Sequence, residues 1–170
     1  TTLVEALLTR SETIPRAGRV EDGTTVSDAD EVEVRQQRSV SLALAPLEHN
    51  GVKVNLLDTP GYADFVGELR AGLRAADAAL FVVSAVDGVD ALTTMLWEEC
   101  AAVGMPRAVV VTQLDRARAD FDEAVAICQR VFGDGVQPLY LPMHSDDETI
   151  GGLIGLLSRR VYDWSSGERV

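Results

Sequence analysis

The sequence predicts an α/β fold, a mostly parallel sheet covered by helices on both faces, with one β-hairpin in its first third. Three observations lead there. Beyond residue 58, short apolar runs alternate with longer segments of helical spacing. Two of the short runs, 78–86 and 107–112, are apolar on both faces, as strands inside a parallel sheet are. Before residue 58, an Asn50-Gly51 pair separates two segments that read as strands, the signature of a hairpin turn. In order, residues 2–9 are mostly apolar and predict a helix. Residues 21–33 carry six acids, no base and no sustained period, which predicts a solvated loop and not a metal cluster. Residues 39–47 and 52–58 are the hairpin strands. A helix over 68–76 precedes the strand at 78–86. A helix over 91–103 ends at Met105-Pro106, and the strand 107–112 follows. The next helix, 117–132, stops at Gly133-Asp134-Gly135. Residues 137–142 predict a short strand, placed at an edge by its prolines. Residues 150–161 read as mainly helical.

Composition narrows the class. The chain has 170 residues, 46% of them apolar, which suits one globular domain and excludes wholesale disorder. The longest purely apolar run, 78–83, is far too short to span a bilayer, and no signal peptide is visible. A net charge of −12 excludes a broad basic nucleic-acid surface. Cys100 and Cys128 have no metal-ligand spacing and read as reduced core residues of a cytoplasmic protein. His49 and His144 read as surface residues, and Trp97 and Trp164 as packing anchors. Lys53 is the only lysine, so the positive charge is almost all arginine.

Chemistry is expected beyond the carboxyl ends of the strands, where parallel sheets bind ligands. One strand ends in Leu57-Asp58-Thr59-Pro60-Gly61-Tyr62. An Asp there can hold Mg²⁺, directly or through water, or can cap the following turn. Gly61 lets a backbone N–H approach a terminal phosphate with no Cβ in the way. A second strand ends in Thr112-Gln113-Leu114-Asp115. The Asp115 carboxylate can accept two hydrogen bonds from guanine, or can cap the helix that follows.

Asp-Thr-Pro-Gly at 58–61, Ala63-Asp64-Phe65 after it, and Asp115 some fifty residues on resemble the translational GTPases. Within them the chain resembles the GTP-binding domain of bacterial elongation factor G and its elongation factor G-like paralogues. Gly18 to Gly23 and Arg38 to Ser41 resemble that family's first switch. Pro138 to Pro142 and Gly152 to Ile154 resemble the start of its inserted subdomain. The resemblance covers nearly the whole chain. It implies a three-layer P-loop GTPase fold with a GTP-binding domain over 1–135, and over 136–170 the last strand region and the start of the insert. It also implies a GTPase acting on GTP with Mg²⁺, a ribosome partner and a bacterial cytoplasm. Thr1 and Thr2 match the end of the family's P-loop, so the chain is expected to be incomplete at both ends, lacking the first strand and most of the P-loop. Residues 1–170 alone are therefore expected to bind GTP weakly or not at all.

Carried over by position, Thr1, Ser41 and Asp58 are metal-side residues and Thr2 contacts phosphate. Thr59 and Pro60 are nucleotide-binding residues, and Gly61 is the γ-phosphate sensor. Thr112, Gln113, Leu114 and Asp115 hold the base. Tyr62 stands where the family has the His that orients the attacking water. A phenol, with a pKa of about 10, is a poor base near neutrality. Ser41 stands where the family has Thr, keeping the hydroxyl and losing the β-branch stiffness. Gln113 stands where a long Lys stem covers the base. These departures imply weakened hydrolysis, or alternatively a non-hydrolysing pseudo-GTPase that binds the ribosome.

Overall fold

The computed structural model describes residues 1–145 and 149–164. The chain divides into two compact units, Thr1–Ala78 and Ala79–Val170. Residues 146–148 and 165–170 of the expected 136–170 segment lie outside the described residues.

In the first unit, helix α1 is Thr2–Arg10, α2 is Glu31–Gln36, strands β1 and β2 are Ala43–His49 and Val52–Asp58, and α3 is Val66–Ala75, entered through a 3-10 turn at Ala63–Phe65. The expected hairpin forms: β1 and β2 pair antiparallel from Ala43 opposite Asp58 to His49 opposite Val52. Asn50 and Gly51 both take positive φ, +51° and +75°, which the tight turn between right-twisted strands requires. The 21–33 loop expectation needs correction, because α2 begins inside it. Asp30 caps α2 by accepting from the Val32 N–H at 2.7 Å, and Glu33 returns the favour to the Asp30 N–H at 3.3 Å. This is a capping box, which satisfies backbone donors that a helix start otherwise leaves bare.

In the second unit, β3 is Ala79–Ser84, α4 Ala91–Ala102, β4 Arg107–Thr112, α5 Phe121–Phe132, β5 Tyr140–His144, β6 Ile150–Gly155 and β7 Arg160–Asp163. Strands β3 and β4 pair in parallel, Ala79 opposite Arg107 through Ser84 opposite Thr112, joined by α4 as a parallel crossover must be. Phe81 and Val83 are buried, and Phe81 packs edge-on against Trp97 of α4 at 5.1 Å. Trp97 in turn stacks on Phe132 of α5 at 4.3 Å, and the Arg107 guanidinium covers its ring at 4.4 Å. Cys100 and Cys128 are free thiols in this core, and burial pushes the pKa of both up.

Three expectations of the sheet do not hold. The strands form no single, mostly parallel sheet: among the described residues they make one antiparallel pair, one parallel pair and one antiparallel three-stranded sheet, β5-β6-β7. The connections explain this, since a two-residue turn or a few residues of chain can only reverse direction. Strand β3 is not covered on both faces, for Leu80 and Val82 are half exposed. Residues 150–161 are not helical but supply β6 and β7. Gly151, Gly152 and Gly155 weaken a helix there by about 1 kcal/mol each relative to Ala. Gly152 also lets β6 approach β7 closely, because a Cβ on it would overlap the Tyr162 carbonyl oxygen. Smaller shifts place the start of β1 at Ala43 and that of α5 at Phe121.

Candidate functional site

In the first unit, the candidate residues gather around the end of β2 and the start of α1. The Thr1 main-chain nitrogen donates to Asp58 Oδ1 at 3.2 Å, and both side chains are about nine-tenths buried. The Thr1 hydroxyl lies 3.0 Å from Ser39 Oγ and donates to Asp28 Oδ1 at 3.4 Å. Ser39 Oγ donates to the same Asp28 oxygen at 2.6 Å. Thus Thr1 and Asp58 do come together, and Asp28 and Ser39 join them. Asp28 Oδ2 and Asp58 Oδ2 are buried and have no hydrogen-bond partner among the described residues. Bare buried carboxylate oxygens are costly unless a cation meets them. Two carboxylates and two hydroxyls make an all-oxygen donor set, which suits a hard cation such as Mg²⁺. The residues present therefore fit that ion.

Ser41 is held elsewhere. Its hydroxyl donates to Glu33 Oε1 at 3.0 Å, and its N–H donates to the same oxygen at 3.1 Å. Glu33 also accepts from the Val40 N–H at 3.0 Å. Burial alone would raise the Glu33 pKa. The hydrogen bonds from Val40, Ser41 and Asp30 outweigh it and hold the carboxyl below its ordinary value. A second buried carboxylate, Glu5 of α1, accepts from the Gly18 and Val26 N–H groups at 2.7 and 2.6 Å.

The loop after Asp58 is shaped by packing. Pro60 is fully buried, and Gly61 is exposed with open space where a Cβ would stand. Gly72 of α3 lies so close to the loop that a Cβ there would sit 2.9 Å from Thr59 Cγ2. Glu68, one turn earlier, accepts from the Leu42 N–H at 3.1 Å. Tyr62 is 48% exposed, and the Arg38 guanidinium lies 5.0 Å from its ring centroid. Thr2 is exposed at the first turn of α1.

In the second unit, the candidate residues lie in the loop after β4. Thr112 Oγ1 donates to the Val83 carbonyl at 3.3 Å, tying β4 to β3 at their ends. Gln113 takes φ +59°, and its Oε1 accepts from Ser84 Oγ at 3.1 Å. Leu114 is half buried, whereas Asp115 is exposed and makes no hydrogen bond among the described residues. Asp115 is not a helix cap: Asp120 fills that role for α5, accepting from the Glu123 N–H at 3.0 Å. A cavity of about 950 Å³ lies behind this loop, lined by Leu114, Phe121, Cys128, Phe132 and Tyr140 among others. Its walls are apolar and bring no group of carboxylates or cations together.

Sequence reasoning missed Glu5, Asp28, Glu33, Ser39 and Gly72. Only Glu33 carried a local signal, as the fourth residue of the Asp30-to-Glu33 capping box. The others act across gaps of 11 to 38 residues, apart from Gly72, which acts through the absence of a side chain.

A family model described as the elongation factor Tu GTP binding domain matches residues 1–162. The chain is 62% identical over 169 residues to an elongation factor G-like protein of Mycobacterium tuberculosis, which covers 99% of this chain and 23% of that protein. It is 34% identical over 167 residues to elongation factor G 2 of Streptomyces coelicolor, covering 98% of this chain and 24% of that protein. A crystal structure of a Thermus thermophilus protein aligns with a TM-score of 0.92 at 40% identity, over 100% of this chain and 25% of that one. The chain thus spans about a quarter of the length of these relatives. No helix among the described residues is long and apolar enough to cross a membrane.

Proposed function

The chain belongs to the elongation factor Tu GTP-binding domain family, and on that premise we propose that it is the nucleotide-binding part of an elongation factor G-like translational GTPase. It takes GTP and GDP with Mg²⁺ and works on the ribosome in the cytoplasm. One observation carries the reading: Asp58 closes β2 at the head of Asp-Thr-Pro-Gly, with one carboxylate oxygen buried and bare beside Thr1. Thr1 and Asp58 are the residues for Mg²⁺, and Ser41 joins them once its hydroxyl turns away from Glu33; the ion, when bound, would supply charge neutralisation on the phosphates. Thr2 faces phosphate from the first turn of α1, whose N-terminal N–H groups favour an anion. Thr59 and Pro60 hold the loop, so that the Gly61 N–H can meet the terminal phosphate. Thr112 and Gln113 brace the base loop, Leu114 backs it, and Asp115 accepts from guanine. Residues 136–170 begin an inserted subdomain, a reading supported by β5, β6 and β7 forming a sheet of their own.

Tyr62 takes the water-positioning place. Its phenol can hydrogen-bond a water and orient it, and a phenol is a poorer general base than the imidazole it replaces. Ser41 adds a looser first switch, and Gln113 a thinner cover on the base. Hydrolysis is therefore slow relative to an ordinary elongation factor G. The pseudo-GTPase reading draws its support from Arg38, whose guanidinium already occupies one face of the Tyr62 ring.

Multiple-turnover phosphate release by the full-length protein, with and without ribosomes, tests this. Weak stimulation that rises in Tyr62→His fits the proposal. Stimulation equal to that of elongation factor G overturns the weakening. Nucleotide binding with no turnover, in the wild type and in Tyr62→His alike, selects the pseudo-GTPase.

A further inference from the structure

Glu33 is a buried carboxylate with no part in the reaction described so far. It is 2% exposed, and four hydrogen bonds converge on its side chain. Oε1 accepts from the Val40 N–H at 3.0 Å, the Ser41 N–H at 3.1 Å and the Ser41 hydroxyl at 3.0 Å, while Oε2 accepts from the Asp30 N–H at 3.3 Å. The Glu33 main-chain carbonyl also accepts from the Arg38 N–H at 3.2 Å. Residues 33–41 are thus tied back on themselves. Gln37 within them is held at φ +52°, a left-handed backbone that residues other than glycine rarely adopt. The bonds to Oε1 are charge-assisted, which makes them stronger than their neutral counterparts. Ser41 is also the first-switch residue for Mg²⁺, so one hydroxyl has two claimants. Leaving Glu33 strips a buried carboxylate of a partner, which a low-dielectric interior resists.

We propose that Glu33 is a latch on the first switch: it holds Ser41 in an open arrangement, and GTP with Mg²⁺ must draw the Ser41 hydroxyl off this carboxylate before the switch closes. The inference rests on the Mg²⁺–nucleotide reading above and adds its regulation. GDP brings no γ-phosphate for the switch to close on, so its binding leaves the latch shut. The latch therefore lowers the affinity for GTP and not for GDP, by the fraction of molecules in which Ser41 is free. Glu33 is a positioning residue, acting only through Ser41 and the backbone at Val40.

The test is the ratio of affinities for a non-hydrolysable GTP analogue and for GDP, measured with Mg²⁺ on the full-length protein by fluorescent-nucleotide titration. Glu33→Gln keeps the shape and removes the charge. The ratio then moves towards the analogue by roughly ten-fold, the factor between a charged and a neutral acceptor. Partial unfolding does not imitate this, because it lowers both affinities by the same factor. In a Ser41→Ala background the same change moves the ratio far less, since the hydroxyl that the latch withholds is gone. In EDTA the gain disappears. A ratio unchanged or lowered by Glu33→Gln overturns the latch, and so does an equal gain in the Ser41→Ala background or without Mg²⁺. Should Glu33→Gln fail to fold, Glu33→Asp carries the test. Its carboxylate is one methylene short of Ser41, so the ratio must again move towards the analogue, and an unchanged ratio overturns the proposal. A wild-type protein that binds neither GDP nor the analogue defeats the nucleotide reading itself, before any variant is compared.

Discussion

Glu5 offers the sharpest test of how the first unit holds its long segment between α1 and β1. It is 1% exposed, and its two oxygens accept from the Gly18 and Val26 N–H groups at 2.7 and 2.6 Å. Both bonds are short and charge-assisted, and such bonds contribute about 1.5–3 kcal/mol each. Glu5→Ala removes both acceptors and opens a void, so the sum is roughly 3–6 kcal/mol before water enters. Val26 is exposed enough for water to recover part of this, which leaves an expected loss of about 3 kcal/mol. Glu5→Gln keeps one acceptor oxygen and turns an amide donor towards the other N–H, so it costs about half as much. Far-UV circular dichroism in urea measures the loss, and amide exchange at Gly18 and Val26 reports whether it is local. Exchange there should accelerate more than in β1 or β2. Equal losses below about 1 kcal/mol in both variants, or unchanged exchange at the two amides, would refute the reasoning.

Two further outcomes follow from the same geometry. Gly72→Ala places a methyl 2.9 Å from Thr59 Cγ2 and 3.2 Å from Leu42 Cδ1, so overpacking of about 1–3 kcal/mol opposes a helix-propensity gain of about 1 kcal/mol. Unfolding should show a small net loss, while nucleotide affinity falls more than stability, since the methyl pushes on the Asp-Thr-Pro-Gly loop; unchanged affinity would contradict this. The Glu33 pKa lies below its ordinary value, so the folded protein binds fewer protons there than the unfolded chain. Its stabilisation is whole above the ordinary glutamate range and fades as pH falls through the lowered value. The wild-type advantage over Glu33→Gln in urea midpoint should therefore be largest at neutral pH and vanish in acid, and an advantage that persists in acid speaks against it.

What the sequence reveals depends on the range over which each feature acts. The hairpin was legible because Asn50-Gly51 is a local turn signal, and so was the end of β2 at Asp58, where the apolar run gives way to Thr59-Pro60-Gly61. Helix α2 was also within reach: Asp30 and Glu33 have capping-box spacing, but the density of acids across 21–33 obscured it. Residues 150–161 misled because Ile150, Leu153, Ile154 and Leu157 fall at i, i+3, i+4 and i+7, the spacing of a helix face. The glycines between them were the contrary signal, and they are what the close β6–β7 approach needs. Asp28 and Ser39 were invisible for a different reason. Their contacts with Thr1 span 27 and 38 residues, and no local pattern foretells which acid of an acidic stretch folds inward.

The way the 11–41 segment is anchored has a thermal consequence. Its four buried residues are Thr25, Ser27, Asp28 and Glu33, and none is hydrophobic. Heat capacity rises when apolar surface meets water and falls when polar surface does. Detaching this segment uncovers mostly polar groups, so its opening enthalpy changes little with temperature and its van 't Hoff plot runs nearly straight. Whole-protein unfolding, which also exposes Leu8, Val83 and Leu96, must give a curved one. The segment can thus loosen on warming along its own course, separable by calorimetry from the melting of the two units.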